Sequence, residues 1–166
     1  MGDISTTIPT FTAGQPVLGS DLATMAGYLS ALSGSMTDWS SSFSIGATTT
    51  APTKGNSTYV ARYNRAGKLL LFQFKVTIGS SFSAGSGTYL FALPYAARVM
   101  AEQSSSAYVL DSGTANYPAV VTISDSSTSA VSLFLQGSSA ALGSAGPGSA
   151  WNAGDQARAS MLLELA

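Results

Sequence analysis

Leu69-Leu-Leu-Phe-Gln-Phe-Lys-Val-Thr-Ile78 is the stretch that decides the fold. Every second position is apolar, whereas the positions between change from leucine to polar side chains. A period of two is typical of a β-strand, because successive side chains point to opposite faces. The all-apolar face must meet a core, and it comprises Leu70, Phe72, Phe74, Val76 and Ile78. The other face is apolar at its first end and polar at its last, as in a strand of which one end is covered by other parts of the protein and the other end faces water. We therefore predict the central strand of an antiparallel sheet.

Other short strands are predicted on both sides of this one, between clusters of Gly, Ser, Asn, Asp and Pro. They are expected near 40–46, 57–63, 88–93, 105–111, 118–123, 130–136 and 157–165, with the stretch above extended to 68–78. Such strands with almost no helix between them favour a sandwich or jelly roll over alternating strands and helices. The sequence therefore predicts an all-β, antiparallel jelly-roll sandwich over residues 39–166, with Trp39 as a lid at its entrance.

Three local features refine this prediction. Asn64-Arg-Ala-Gly67 is expected to form a tight hairpin turn, with Gly67 suited to positive φ. Ser138–Ser149 is poor in large apolar groups and is expected to be an exposed loop. The last strand ends Met161-Leu-Leu-Glu-Leu-Ala166, and burial of so apolar a strand would place Leu163 and Leu165 inward and Glu164 on the other face.

The N-terminal part has a different pattern. Residues 1–19 hold scattered apolar side chains among Pro, Gly, Ser and Thr, which indicates an extended arm. This arm either anchors the chain on another protein or is a frayed terminus.

A short helix is predicted to begin at Ser20-Asp21 and to end near Gly34, within a helix and linker segment over residues 20–38. Its apolar positions follow a heptad spacing: Leu22, Met25, Leu29, Leu32 and Met36. A helix this short needs a partner. The partner is either the chain's own sandwich or copies of the same helix in a bundle.

The composition excludes several function classes. The chain has no cysteine and no histidine, so the commonest general base and metal ligands are missing. Charged residues are 9% of the chain, against about 25% in typical domains. The scattered cations form no basic stripe, and we expect no nucleic-acid binding. No apolar run is long enough for a membrane span, and no secretory signal is expected.

No catalytic constellation is found, so we expect no enzyme, no cofactor and no metal. Asp111 and Asp125 could form an acid pair or bind Ca²⁺, but turn aspartates are the simpler interpretation. Three aromatic residues near predicted loops or strand ends are candidates for surface binding: Tyr108, Tyr117 and Trp151. Their rings could stack on sugars, or they could simply pack against the core and its edges.

The order of these features carries a resemblance. The arm, the short helix, a Trp, and then Ala61-Arg-Tyr-Asn-Arg-Ala-Gly-Lys-Leu69, Gly85-Ser-Gly-Thr-Tyr-Leu-Phe-Ala-Leu-Pro94 and Trp151-Asn-Ala-Gly-Asp155 resemble small minor tail and fibre-type proteins of tailed bacteriophages. Members of that group resemble the C1q/TNF-like jelly roll, which assembles as a trimer. The resemblance covers most of the chain and provides no site residues.

The resemblance implies a virion structural protein, and we expect a homotrimeric minor tail, tail-tip or fibre-like component that touches the host surface. A capsid decoration or head-fibre protein is the alternative, and a carbohydrate-binding β-sandwich module is the alternative from another class. In this reading the arm contacts other virion proteins, and the helix forms a threefold stalk. Leu69 and Leu71, on the outer side of the central strand, become subunit contacts. A host cell-surface glycan is a further expected partner.

Overall fold

The structure, a computed structural model, describes residues 35–98, 103–123, 128–148 and 150–166. Within these ranges the chain is all β and antiparallel, as predicted, and contains no helix. The strands are β1 (Thr37–Asp38), β2 (Ile45–Ala47), β3 (Thr58–Ala66), β4 (Leu69–Thr77), β5 (Tyr89–Ala92), β6 (Gln103–Asp111), β7 (Ala115–Ile123), β8 (Ala130–Leu135) and β9 (Gln156–Glu164). The predicted arm and the helix up to residue 34 lie outside the described residues.

The strands form one sheet in the order β1-β3-β4-β9-β6-β7-β8-β5-β2. Ladders of nine register pairs join β4 to β3 on one side and to β9 on the other, so the stretch that opened the sequence analysis has a partner on each side. The C-terminal strand β9 lies between β4 and β6, far from either edge. Four strands separate β4 from β5 in this order, yet Phe74 of β4 contacts Phe91 of β5. The sheet therefore curls until its two halves face each other as the layers of a sandwich.

The core lies between these halves and is built from the alternating faces that the sequence indicated. All five predicted inward positions, four in β4 and one directly after it, are buried at 0 to 4% exposure: Leu70, Phe72, Phe74, Val76 and Ile78. Leu163 and Leu165 are buried as well, and the half-buried Glu164 is on the opposite face. The half-buried Trp39 packs edge-on against Phe72 and Phe43, each with ring centroids 5.9 Å apart, and so covers one end of the core.

Two local predictions were wrong. Strand β3 continues to Ala66, so the hairpin closes over Gly67–Lys68 and not over Asn64–Gly67. Gly67 does have the expected positive φ, at 59°. The stretch Ser138–Ser149 is not wholly an exposed loop, because Leu142 is buried. Its backbone bridges two strands: its N–H donates to Leu133 of β8 and its carbonyl accepts from Tyr89 of β5.

The N-terminal boundary of the sandwich also differs from the prediction. The first strand of the sheet begins at Thr37, where β1 pairs with Arg62 and Tyr63 of β3. Met36 directly precedes this strand, is half-buried and belongs to no helix. Met36 therefore cannot continue a helical seam, whereas Leu22, Met25, Leu29 and Leu32 lie outside the described residues. The subunit contacts assigned to all five stay a prediction.

Candidate binding and assembly face

The outer face is the side of strands β3, β4, β9 and β6 that points away from the core. Because side chains alternate along each strand, the residues on this face are those that stand between the inward-facing positions of the same strand. It includes Thr58, Val60, Arg62, Leu69, Leu71, Gln73, Lys75, Thr77, Ser104, Ser106, Tyr108, Gln156, Arg158, Ser160, Leu162 and Glu164. Antiparallel register aligns these side chains in rows across the strands, and the rows differ in chemistry from one end of the face to the other.

One end of the outer face carries a leucine patch, consisting of Leu69, Leu71 and Leu162. Leu71 and Leu162 are direct partners in the ladder between β4 and β9. Their exposures are 36% and 60%, and that of Leu69 is 51%. Neighbouring exposed leucines are a feature of contact surfaces, whereas single exposed apolar side chains are ordinary. The structure thus places both predicted contact leucines on an exposed face and adds a third.

Leu162 was missed by the sequence reasoning, although the signal was available. The final strand alternates between buried and exposed positions, and Leu163 was already assigned to the core. That assignment forces Leu162 onto the outer face, next to the leucines of β4.

The other end of the outer face is a cationic groove, defined by Arg62, Gln73, Lys75, Tyr108, Arg158 and Ser160. These residues line an open concavity of about 510 Å³. Lys75 and Arg158 are direct partners in the ladder between β4 and β9. Arg158 is in turn the direct partner of Tyr108 in β6. Two cations therefore stand side by side in the middle of the groove, with an aromatic ring beyond them.

Neutral side chains orient the polar residues that line the groove. The Arg158 guanidinium donates from Nε to Gln156 Oε1 at 2.9 Å and from Nη2 to the same oxygen. Its central carbon lies 5.8 Å from the centroid of the Tyr108 ring. In the next row, Gln73 Nε2 donates to Ser160 Oγ at 3.3 Å. The partner of Arg158 is an amide, so its positive charge is oriented without being neutralised.

The described carboxylates either have partners outside the cationic groove or lie at the edge of the groove. Glu164 pairs with Arg98 at 3.0 Å, and Asp111 and Asp155 are buried. Asp38, on edge strand β1, is the register partner of Arg62. Hydrogen bonds from the Ser40 hydroxyl and amide lower the pKa of Asp38, and the charge of Arg62 adds to this. In the part of the chain that the structure describes, no carboxylate pairs with Lys75 or Arg158.

Buried Asp155 has a structural role in the described chain. Its Oδ1 accepts from the Ser112 amide at 2.8 Å and its Oδ2 from the Asn152 amide at 2.7 Å, which ties two turns together. No group of three potential metal-ligating side chains occurs among the described residues, and Asp125, the suggested partner of Asp111, lies outside them. The same residues include no helix that is long and apolar enough to cross a membrane.

The three aromatic candidates do not come together. Tyr108 lies on the outer face, whereas Tyr117 pairs with core residue Val109 and packs against the core. Trp151 is half-buried, stacks on Tyr89 with centroids 6.0 Å apart, and donates from Nε1 to the Gly143 carbonyl at 2.9 Å. Surface binding by these residues stays a prediction. The geometry favours Tyr108, because its ring is the one that lines the groove.

The fold and this face define an antiparallel all-β sandwich domain with one exposed sheet of mixed apolar and cationic character. No protein-family model matches the chain, and neither the curated proteins nor the solved structures contain a significant match to it.

Proposed function

We propose that the chain is a structural protein of a bacteriophage particle, a homotrimeric minor tail, tail-tip or fibre-like component. The observation that carries the proposal is the leucine patch, which leaves three large apolar side chains in contact with water on one sheet face. A second subunit that covers these leucines would remove their apolar area from water, a gain of about 25 cal/mol per Å². The phage assignment itself rests on the resemblance of the sequence.

The low charge of the chain supports an assembly role. A nearly neutral protein rich in strands has little electrostatic repulsion to keep copies apart, so uncontrolled association is a hazard. A closed oligomer buries the association-prone surface between a fixed number of subunits. In this proposal the arm at 1–19 holds the assembly on other virion proteins, and the segment at 20–34 forms a stalk before the sandwich.

Light scattering on the full chain at micromolar concentration tests the oligomer. We expect a mass three times the 16.8 kDa of one chain. The variants Leu71→Asp and Leu162→Asp should reduce it to one chain while the far-ultraviolet circular dichroism spectrum stays unchanged, because a carboxylate at a buried subunit contact is costly. Thr58→Asp, on the same face but far from the patch, is the matched control and should stay trimeric.

A wild-type mass of one chain would refute the trimer, and a trimer that survives both leucine variants would refute this contact surface. Co-purification with a phage particle tests the virion role separately. A copy number that matches the capsid lattice would favour a decoration or head-fibre protein, whereas a few trimers per particle would favour the tail.

The carbohydrate-binding module is retained as a second candidate because of one observation. The cationic groove brings an aromatic ring, hydroxyls and an amide into one concavity, and these are the groups that bind sugars. Binding of oligosaccharides by a protein that is monomeric and does not join a particle would favour this candidate.

A further inference from the structure

We propose that the cationic groove is a binding site for an acidic saccharide, with the sugar carboxylate held between Lys75 and Arg158. The proposal concerns the opposite end of the outer face from the leucine patch. It does not depend on the assembly role, since a monomer would carry the same groove.

The central argument is the pairing of like charges. Lys75 and Arg158 are directly opposite on one face of an antiparallel ladder, an arrangement that destabilises a sheet by electrostatic repulsion. Adjacent strands are about 4.8 Å apart, so both cationic groups can reach one anion placed between them. A bound carboxylate would turn this repulsion into two charge-assisted hydrogen bonds.

The surroundings of the pair select for a sugar. One row along the strands, about 7 Å away, lie the amide of Gln73 and the hydroxyl of Ser160. These groups both donate and accept, as sugar hydroxyls require. Tyr108 lines the same concavity on the β6 side of Arg158, where its ring edge and hydroxyl can contact a bound sugar. A simple inorganic anion would use the cations but none of these other groups.

Nucleic acid fits the groove less well. A phosphate backbone needs a track of cations that extends beyond one site, and the chain has a net charge of −1 with seven cations in total. An open concavity of about 510 Å³ suits one or two sugar units.

The binding experiment uses three acidic oligosaccharides, namely trigalacturonate, a hyaluronan tetrasaccharide and sialyllactose. Each is titrated into the full chain by calorimetry or by NMR, and so is an uncharged counterpart. The counterparts are the methyl esters of trigalacturonate and of the hyaluronan tetrasaccharide, and lactose for sialyllactose. Inorganic sulfate serves as the bare-anion probe. We expect at least one acidic saccharide to bind, its uncharged counterpart to bind at least tenfold more weakly, and added salt to weaken binding.

Variants locate the site. Lys75→Gln and Arg158→Gln should each reduce the affinity about tenfold, as expected for loss of a charged hydrogen-bond donor. Tyr108→Ala should reduce it about fivefold through the lost ring contact. Lys68→Gln, which removes an exposed cation in the turn before β4, is the matched control and should bind like the wild type.

Each of several results would overturn the proposal: no binding of any acidic saccharide, equal binding of the uncharged counterparts, equal binding of sulfate, or unchanged affinity in both cation variants. The light-scattering mass of the same samples reports separately on assembly. Leu71→Asp should retain saccharide affinity whatever its mass, so failure of the groove and failure of the trimer are distinguishable.

Discussion

Phe74 and Phe91 stack across the core, with ring centroids 4.9 Å apart and planes 17° from parallel. Phe74 is in β4 and Phe91 in β5, and four other strands lie between them in the sheet order. The contact is therefore made through the core and not along the sheet. It joins the two halves of the curled sheet, and the side of β4 that points away from this contact is the outer face.

Removal of either ring is expected to destabilise the sandwich strongly. Phe74→Ala and Phe91→Ala should each lower the free energy of unfolding by about 3–5 kcal/mol, because both leave a cavity in a packed core. The double variant should cost less than the sum of the two, with a coupling of about 0.5–1.5 kcal/mol from the stacked pair. Urea unfolding of all four proteins measures this coupling. Strictly additive losses would show that the two rings do not stabilise each other.

Adjacent leucines at the C-terminus provide a second prediction. Leu163 is completely buried, whereas its neighbour Leu162 is 60% exposed. Leu163→Asp should abolish folding, because it would bury a carboxylate without a partner. Leu162→Asp should change the stability of the single chain by no more than about 0.5 kcal/mol, as is usual for surface positions. Circular dichroism melting curves separate the two outcomes. Equal loss of structure in both variants would contradict the assignment of the two faces.

The alternation of β4 shows why much of the fold could be predicted. A period of two identifies both the strand and its inward face, and the buried positions from Leu70 to Ile78 followed directly from it. The same logic placed Leu163 and Leu165 in the core. These predictions needed only local sequence, because burial is decided by which side of the strand a residue occupies.

The sequence predicted two leucines of the outer face but not the cationic groove. Leu69 and Leu71 lie on the strand that the pattern identified, but the groove depends on Lys75 facing Arg158, more than eighty positions later in the chain. Register between strands so distant in sequence is decided by the topology of the sheet, which a local pattern does not contain. Leu142 was missed for a related reason: its burial follows from backbone hydrogen bonds to Leu133 and Tyr89 in a stretch of otherwise small residues.

Two glycines with nearly equal backbone conformations form a matched pair for a third prediction. Gly67 and Gly85 have φ values of 59° and 62°. A Cβ at Gly67 would meet nothing within 4 Å, whereas one at Gly85 would lie 2.2 Å from the Thr50 carbonyl oxygen. Gly67→Ala should therefore lower the free energy of unfolding by about 1–2 kcal/mol, the cost of placing an alanine in the left-handed conformation.

Gly85→Ala should cost more than Gly67→Ala, because the backbone near Thr50 must also move, and the hydrogen bonds between Thr50 and Ser86 move with it. Urea unfolding midpoints of the two variants provide the comparison. If the two alanine variants were equally stable, the close approach at Gly85 would have no energetic consequence.

Tyr59 leads to a prediction about alkaline pH. Burial raises the pKa of Tyr59 from 10 to about 12, since the ionised ring would be poorly solvated in the core. A raised pKa in the folded state means that the contribution of Tyr59 is fully present below pH 10 and is lost as the pH rises through 12.

Tyr59→Phe removes the ionisable group and keeps the ring. We expect the variant and the wild type to show a different slope of unfolding free energy between pH 10 and 12, with the wild type losing stability faster. Burial also raises the pKa of Tyr89, so the variant keeps some alkaline sensitivity from that residue. Urea unfolding at neutral pH sets the baseline for each protein. Parallel pH profiles for the two would show that Tyr59 is solvated enough to ionise without cost to the fold.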